Sequence, residues 1–499
     1  MPGTTSTSPG ASGAPGGEAV AAAHPRRWVA LAVIAIAQLM VVLDATIVNI
    51  ALPHAQADLG ISDADRQWVV TAYTLTFGGL LLLGGRIADY WGRKRAFLVG
   101  MVGFALASAV GGLATNGAML FAARALQGVF GALLAPAALA LLTVLFTETR
   151  ERAKAFAVYG AIAGGGSAVG LLLGGVLTEY ASWRWCLLVN ILIAAVALAA
   201  AIPLVPESRA HGNTRYDVPG AVVVTAGLVL LVYGFTRAAE NGWSAGSTLA
   251  FIAIGLVLLA AFVVIELRSQ HPLLPMRILL DRNRGGAYLT STLIGAGLFG
   301  AFLFLTIYFQ VVLRYTPLEA GLASLPVTAG VLVAAGGASQ LLPRVGAKPL
   351  MLSGAVLAVA GMVALTQVDV DTSFVALLLP AQLVLGLGLG FTFVPLSSLA
   401  LYGVPEHDAG AASATLNATQ QVGGSLGTAL LNTMYTSAVA DYLVSRAPSP
   451  ENQVKALITG YSTTFAWGAG LILLAGLATL VLIRVRREDV PTGGAVHMG

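Results

Sequence analysis

The residue best placed to do chemistry is Asp44, a carboxylate inside the apolar stretch VVLDATIVNIALP. Placing a carboxylate near the middle of a membrane helix costs about 2.5–3.5 kcal/mol, so an apolar segment rarely keeps one without a use. Apolar surroundings disfavour the charged form of a carboxyl group, which brings proton exchange within reach of physiological pH. We therefore expect Asp44 to carry a proton and, when ionised, to attract a cationic substrate. The alternative is a structural hydrogen-bond acceptor near the outer end of the helix.

Arg124 is the one basic residue that we place inside an apolar segment. It begins a stripe at helical spacing that continues through Gln127 and Gly131. A buried guanidinium needs partners, and Asp44 or Asp89 would serve if the fold brings one of them close. We expect Arg124 to act with Asp44 in coupling proton movement to substrate movement. The alternative is an architectural arginine near a helix end.

A further polar stripe runs along the segment GAASATLNATQQVGGSLGTALLNTMY and includes Asn417 and Gln421. Such a face is costly toward lipid, so we expect it to face the interior of a helix bundle. We assign Asn417, Gln421, Gln127 and Asn49 to a candidate substrate path. The alternatives are hydrogen bonds between helices for the stripe and helix packing for Asn49.

The composition indicates a membrane protein. The 499-residue chain is 57% hydrophobic and only 10% charged, and its mean hydropathy is +0.83. An average soluble domain carries about 25% charged residues. The single cysteine, Cys186, excludes an intramolecular disulfide and a thiolate metal site, and all the histidines fall in tails or predicted loops. We expect no metal, no cofactor and no nucleic-acid partner.

Apolar segments long enough to cross a bilayer recur along the chain, and we predict fourteen. Residues 1–27, rich in Gly, Pro, Ser and Thr, are predicted to be a disordered cytoplasmic tail, and 485–499 a second tail. The predicted spans are 28–52, 66–88, 96–115, 118–146, 153–178, 184–205, 218–237, 248–267, 287–313, 319–342, 349–368, 374–401, 409–437 and 461–484.

Basic loops orient these spans. With fourteen spans and an inside N-terminus, most Arg and Lys residues outside the spans fall on the cytoplasmic side. This distribution predicts a multi-pass protein of the cytoplasmic membrane with both termini in the cytoplasm.

The most strongly charged short connection is GRIADYWGRKRAFL, residues 85–98. We expect Gly85 and Gly92 to allow a tight turn between two spans. Asp89, Arg93 and Lys94 could form a cytoplasmic gate that opens and closes as two halves of the protein rock. The alternative is an orientation signal with surface ion pairs worth about 0–1 kcal/mol each.

The fifth span is rich in glycine, in the segment GAIAGGGSAVGLLLGG. Small residues spaced one turn apart let two helix backbones approach closely. We expect helix packing at five glycines, namely Gly160, Gly164, Gly170, Gly174 and Gly175.

A faint internal repeat divides the chain. Residues 340–354, QLLPRVGAKPLMLSG, align with 86–100, RIADYWGRKRAFLVG, through matching glycine and lysine positions. Such parallel repeats build two-half transporters. We predict an N-terminal six-helix half at 28–205, two inserted helices with linkers at 206–284, and a C-terminal six-helix half at 285–484.

Taken in order, LDATIVNIALP, GRIADYWGRK, RALQGVFGA, the fifth-span glycines and the polar stripe resemble the fourteen-helix drug:proton antiporters of the major facilitator superfamily. The resemblance implies an all-α fold of two six-helix halves plus two inserted helices. It also implies proton-coupled export of hydrophobic, often cationic, drugs or antibiotics by alternating access. Leu171 stands where the antiporter motif usually has proline, which leaves the direction of transport open.

Other functions remain to be weighed. An enzyme would need converging nucleophiles, acids or histidines at membrane depth, and the sequence has no such cluster. It has no Walker-type loop for an ATP-driven pump either. An importer, or an exporter of a lipid or endogenous metabolite, stays the alternative. We expect a monomer whose partners are a small hydrophobic substrate, protons and the lipid bilayer. Substrate identity and the choice between H⁺ and Na⁺ are not readable from the sequence.

Overall fold

The computed structural model describes residues 26–146, 148–209, 217–269, 272–274, 276–404, 406–444, 446 and 449–485. The predicted tails therefore lie almost entirely outside the described residues. The described chain folds into sixteen α-helices and one π-helical turn, Phe374–Leu378. The α-helices are α1 (Arg27–Leu59), α2 (Trp68–Trp91), α3 (Arg93–Gly112), α4 (Gly117–Leu145), α5 (Thr149–Tyr180), α6 (Trp185–Leu204), α7 (Val218–Asn241), α8 (Gly246–Arg268), α9 (Met276–Leu279), α10 (Arg282–Val311), α11 (Pro317–Ala323), α12 (Leu325–Val345), α13 (Ala347–Leu365), α14 (Leu379–Leu401), α15 (Glu406–Val444) and α16 (Pro450–Leu482).

Each predicted apolar segment coincides with a helix, with α11 and α12 together forming one of them. Among the described residues, twelve helices are long and apolar enough to cross a membrane. Two more, α5 and α15, contain 32 and 39 residues, but several of their side chains lie outside the described set. The count of fourteen spans is therefore not confirmed and stays a prediction.

Several helices extend beyond their predicted spans. α1 continues past residue 52 to Leu59 and ends at Gly60, whose φ is 63°. α16 begins at Pro450 rather than near 461, with the Ser449 side chain accepting a hydrogen bond from the Asn452 backbone. Hydropathy predicts the part of a helix that lies in hydrocarbon. A helix itself ends where its terminal groups are capped, so its polar terminal turns lie outside the predicted spans.

The outer surface of the helices is apolar. Leu106, Val257, Val333 and Val356 are each more than 60% exposed. Large apolar side chains exposed on this many helices are unusual for a soluble protein and suit contact with lipid tails. The structure therefore describes a multi-pass membrane protein.

Two groups of helices form the bundle. α1–α6 pack among themselves and form the first group, and α10–α16 form the second. In the first group α2 and α4 approach closely, because a Cβ at Gly84 would overlap the backbone of Ala132. The Thr76 hydroxyl bonds the Ala125 carbonyl across the same contact at 2.8 Å.

The predicted insertion, α7 and α8, packs as a pair, and α7 contacts both groups through α2 and α15. Gln67 Nε2 donates to Thr236 Oγ1 of α7 at 2.7 Å. Thr433 Oγ1 of α15 donates to the Phe235 carbonyl of α7 at 2.8 Å. The inserted pair is thus hydrogen-bonded to both groups.

The repeated sequences make the same turn in both groups. Gly92 alone connects α2 to α3 with a φ of 125°, and Gly346 alone connects α12 to α13 with a φ of 89°. A positive φ of this kind strains any residue with a Cβ, so glycine is required at both connections. We call the end of the bundle with Gly92 the α2–α3 end, and the opposite end the α1–α2 end.

The repeated lysines also make equivalent contacts. Lys94 Nζ donates to the Ile202 carbonyl near the end of α6, and Lys348 Nζ donates to the Leu480 carbonyl near the end of α16, both at 2.7 Å. A lysine at this position satisfies carbonyls that a helix terminus leaves without partners. The last helix of each group is therefore fastened in the same way.

Candidate functional site

Asp44 lies at the centre of a buried polar cluster inside the first group. It is 0% exposed, and its Oδ2 accepts a hydrogen bond from Arg124 Nη1 at 2.6 Å. Its Oδ1 accepts from Gln127 Nε2 at 2.8 Å and from Asn190 Nδ2 at 2.7 Å. The structure thus brings together Asp44 and Arg124, which the sequence suggested as partners.

Arg124 is held by several groups besides Asp44. Its Nε donates to the Val69 carbonyl and its Nη1 to Gln127 Oε1, both at 2.8 Å. Its guanidinium lies 4.5 Å from the centroid of the Tyr73 ring. Two buried charges are tolerated where each is paired and hydrogen-bonded, because their mutual attraction then offsets the cost of leaving water. This ion pair meets that condition.

The hydrogen-bonded side chains of the cluster come from four helices: α1, α3, α4 and α6. Ser108 of α3 accepts from Gln127 Nε2 at 2.7 Å, and Asn190 comes from α6. Sequence reasoning missed both Ser108 and Asn190. The available signal was an isolated polar residue in an otherwise apolar helix, which is weaker than the signal of a charge.

The predicted path residues do not all lie together. Gln127 is fully buried in the Asp44 cluster, so it does not line an accessible path in this conformation. Asn49 is partly exposed, and its Oδ1 has no hydrogen-bond partner among the described residues.

Asn417 and Gln421 lie on α15, away from the Asp44 cluster. Asn417 is exposed and donates to the Ser413 carbonyl at 3.2 Å. Gln421 packs against α2, because a Cβ at Gly78 would approach its Cβ to 2.8 Å. The exposed Asn417 lies nearer the α2–α3 end than Gln421, and Gln421 belongs to the contact between the two groups.

The charged connection at the α2–α3 end differs in part from expectation. Gly85 does not form the turn, because α2 continues through it to Trp91; it faces Pro136 of α4 instead. The turn is made by Gly92 alone, since its positive φ already reverses the chain. Gly85 is therefore a residue within α2, where a Cβ would make only an ordinary contact with Pro136.

The charges of this connection bind within the first group. Arg93 Nη2 pairs with Asp89 Oδ1 at 2.8 Å, one helical turn away. The Lys94 backbone N–H donates to Glu207 Oε1 at 3.2 Å, beside the contact of its side chain with Ile202. In this conformation these charges fasten α2, α3 and the end of α6 to one another.

Two of the fifth-span glycines lie where α5 meets α1. A Cβ at Gly174 would approach Ile47 to 3.0 Å, and one at Gly170 would overlap the Thr46 hydroxyl. The backbones of α5 and α1 approach here as closely as side chains permit.

Gly175 faces the second group, since a Cβ there would lie 2.6 Å from Leu318 Cα of α11. Gly160 and Gly164 belong to the part of α5 whose surroundings lie outside the described residues. The glycine-rich segment therefore contacts both groups.

The α1–α2 end of the bundle is closed by contacts between the groups. Arg66 is 3% exposed, with its guanidinium 4.7 Å from the Tyr435 ring centroid and 5.2 Å from that of Phe304. Asn432 Nδ2 donates to the Asp63 carbonyl at 3.1 Å. Further bonds across this interface are Gln310 Nε2 to the Ile50 carbonyl, the Leu318 N–H to Glu179 Oε2, and Thr74 Oγ1 with Ser425 Oγ.

The fold and the buried ion pair define an all-helical, polytopic membrane protein with a charged centre in one helix group. The family model of the major facilitator superfamily matches residues 34–428. The chain belongs to this superfamily, whose members are transporters.

The chain is also similar to individual members over nearly its whole length. It is 50% identical over 478 residues to the puromycin resistance protein pur8 of Streptomyces alboniger, covering 95% of both chains. It is 39% identical to the cephamycin export protein CmcT of Amycolatopsis lactamdurans, covering 94% of this chain and 95% of that one. A solved structure of an auto-inhibited POT-family peptide transporter matches with a TM-score of 0.65 at 16% identity, over 92% of this chain and 98% of that one, which shows the shared fold.

Proposed function

We propose that the protein exports hydrophobic, cationic drugs or antibiotics across the cytoplasmic membrane in exchange for protons. The observation that carries this proposal is the buried pair of Asp44 and Arg124, 2.6 Å apart. Uptake of one proton by Asp44 would remove one of the two charges and leave the other unpaired. A group placed in this way can convert a proton gradient into a helix movement. We assign no enzymatic activity.

The names of the relatives support an antibiotic as the substrate and export as the direction of transport. One is named for resistance to an antibiotic and the other for export of an antibiotic, and both align with about 95% of this chain. We extend the class of their substrates to this protein. Import, or export of a lipid or endogenous metabolite, is not favoured by these names.

Proton coupling in this proposal works through helix packing. Asp44 lies inside the first group with both carboxylate oxygens hydrogen-bonded, so we do not expect it to bind substrate directly in this conformation. When Asp44 is neutral, Arg124 loses its charged partner, and α1 is held less tightly against α4. The contact of α1 with the second group then becomes free to change.

Substrate access follows from the closed α1–α2 end. The contacts of Arg66 and Asn432 block this end, while Asn417 toward the α2–α3 end is exposed. We propose that the α2–α3 end faces the cytoplasm, together with both termini, because its connections are basic. The described conformation would then be the one that receives substrate from the cytoplasm.

The moving units in this proposal are the halves 28–205 and 285–484. The equivalent turns at Gly92 and Gly346 support this division. The inserted region, 206–284, would hold α7 and α8 against both halves. We propose that one chain is the working unit, since the cluster and the interface between the groups come from a single chain.

Everted membrane vesicles with an imposed proton gradient test this function. Ethidium and puromycin would be the probes, with Asp44→Asn compared with wild type at equal expression. Asp58→Asn is the matched control, because Asp58 lies on the same helix but is 48% exposed. We expect gradient-driven uptake into wild-type and Asp58→Asn vesicles and at least a tenfold loss in Asp44→Asn.

Transport that survives in Asp44→Asn would move the proton site elsewhere and contradict the proposed mechanism. Accumulation in right-side-out vesicles, driven by the inward proton gradient, would establish import instead. Both outcomes are measurable with the same two probes.

A further inference from the structure

Asn190 of α6 makes an asymmetric contact with Asp44. Its Nδ2 donates to Asp44 Oδ1 at 2.7 Å, and the residue is 0% exposed. Its own Oδ1 is buried and has no hydrogen-bond partner among the described residues. A buried acceptor without a donor is costly, so such an atom needs an explanation.

The Gln127 amide, which also contacts Asp44, is held in one orientation by its own hydrogen bonds. Its Oε1 accepts a hydrogen bond from Arg124 Nη1 at 2.8 Å. Its Nε2 donates to Asp44 Oδ1 at 2.8 Å and to Ser108 Oγ at 2.7 Å. Arg124 carries donors alone. Asn190 is therefore the amide of this cluster whose carbonyl oxygen is available.

A protonated Asp44 would need that oxygen. Its carboxyl group gains an O–H donor, and a buried O–H requires an acceptor. We infer that Asn190 is a positioning residue for the proton on Asp44. In the orientation seen here, the Asn190 N–H donates to the Asp44 carboxylate. After its side-chain amide turns over, the Asn190 carbonyl oxygen accepts a hydrogen bond from the O–H of the protonated Asp44. This inference rests on the proposed role of Asp44 as the proton carrier.

The movement that this requires is small. It is a rotation about the terminal Cβ–Cγ bond of Asn190, a torsion with a broad and roughly two-fold profile. In each orientation one end of the amide is hydrogen-bonded to Asp44 and the other end lacks a strong partner. The amide therefore stabilises the ionised and the protonated Asp44 to a similar extent. A proton carrier needs this balance, because it must both take up and release its proton. The proton adds to one carboxylate oxygen, and no other bond forms or breaks.

The charged and titratable groups near Asp44 come from several helices. Arg124 of α4 pairs with it directly, and Tyr73 of α2 and Cys186 of α6 interact with it electrostatically. From α3 the neighbour is the neutral Ser108. The α5 groups bond elsewhere: Tyr159 with Gln38, Glu151 with Arg27, and Glu179 with Leu318.

Infrared difference spectra of the full-length protein in liposomes, acid minus alkaline, test the inference without any substrate. Asparagine would carry a ¹³C label in its side-chain carbonyl. We expect a carboxylic C=O band that is absent from Asp44→Asn. We also expect a labelled amide band that shifts with the same midpoint and is absent from Asn190→Leu.

Transport of ethidium into everted vesicles provides a second measurement. Asn190→Leu removes both donor and acceptor, and we expect gradient-driven uptake to fall at least tenfold. Asn190→Thr should recover a substantial part, because a hydroxyl both donates and accepts. Better recovery by threonine than by leucine would show that Asn190 acts through hydrogen bonds rather than through packing.

The outcomes separate this inference from the proposed function. If the Asp44 carboxylic band titrates while the labelled amide band stays unchanged, Asn190 does not follow the proton and the inference is overturned. Wild-type transport by Asn190→Leu would overturn it too. If no carboxylic band depends on Asp44, the proposed proton site itself fails.

Discussion

The guanidinium carbon of Arg66 lies 4.7 Å from the ring centroid of Tyr435, and this contact joins the α1–α2 connection to α15. The ring centroid of Phe304 of α10 lies 5.2 Å from the same carbon. Arg66 Nη1 also lies 3.3 Å from Asp63 Oδ1, but the Asp63 side chain is 57% exposed, so water screens this ion pair. A cation held against aromatic faces out of water is stabilised by about 2 kcal/mol. Arg66 therefore contributes to the closed state of the α1–α2 end.

Replacing Arg66 by leucine should open this end more often. A loss of about 2 kcal/mol corresponds to a roughly thirtyfold higher ratio of open to closed molecules. A reporter is Thr428→Cys in a Cys186→Ser background, because Thr428 is buried on α15 between Ser425 and Asn432, which both bond the first group. We expect its labelling by a membrane-impermeant maleimide to become at least several times faster.

The matched control for Arg66→Leu is Lys455→Leu, which removes an exposed basic residue at the same end. Its labelling rate should equal that of the parent. Equal rates in Arg66→Leu and the parent would show that the aromatic contact does not hold the end closed.

A leucine at Gly174 should destabilise the packing of α5 on α1. Its Cβ would meet the Ile47 side chain and carbonyl at 3.0 Å, and overpacking of this kind costs about 1–3 kcal/mol. Gly165→Leu on the same helix is the control, because nothing lies within 4 Å of a Cβ there. Thermal unfolding in detergent should show a clearly lower midpoint for Gly174→Leu and little change for Gly165→Leu. Similar midpoints for the two variants would contradict this prediction, because they would mean that α1 can move away from α5 at little cost in stability.

The helices and the ion pair could be predicted because membrane burial makes both conspicuous. An apolar run must be about 20 residues long to cross hydrocarbon, and a charge inside such a run is rare. Asp44 and Arg124 therefore stand out from the sequence alone. Their contact with each other does not, because it depends on how α1 and α4 pack.

Residues that needed tertiary information were missed. Asn190 and Ser108 are uncharged, so placing them in a membrane span costs much less free energy than placing a charge there. Their presence alone therefore does not indicate a functional site. Arg66 is the first residue of the predicted span 66–88 and resembles a solvated charge at the end of that span, yet α10 and α15 bury it to 3% exposure. A glycine near charged residues favours a turn, but α2 continues through Gly85 to Trp91, and Gly92 alone makes the turn.

Asp89→Asn should separate a gating role from a surface ion pair. In the described conformation Asp89 pairs with Arg93 one turn away and is 38% exposed, so the pair contributes at most about 1 kcal/mol to stability. We expect little change in the thermal midpoint. If these charges find other partners when the α2–α3 end closes, ethidium transport in everted vesicles should fall severalfold. Unchanged transport would leave this connection as an orientation signal alone.

The two charges of the buried pair should differ in what their removal costs. Asp44→Leu leaves a buried guanidinium that cannot lose its proton, and uncompensated buried charges cost about 3–5 kcal/mol. Arg124→Leu leaves a carboxylate, which can become neutral by taking up a proton. Its cost should therefore be smaller, and smaller still at acid pH. Because the residues touch, the double variant should be less destabilised than the sum by about 1–3 kcal/mol. Thermal unfolding of all four proteins at mildly acidic and mildly alkaline pH measures this, and additive, pH-independent effects would contradict a direct charge pair.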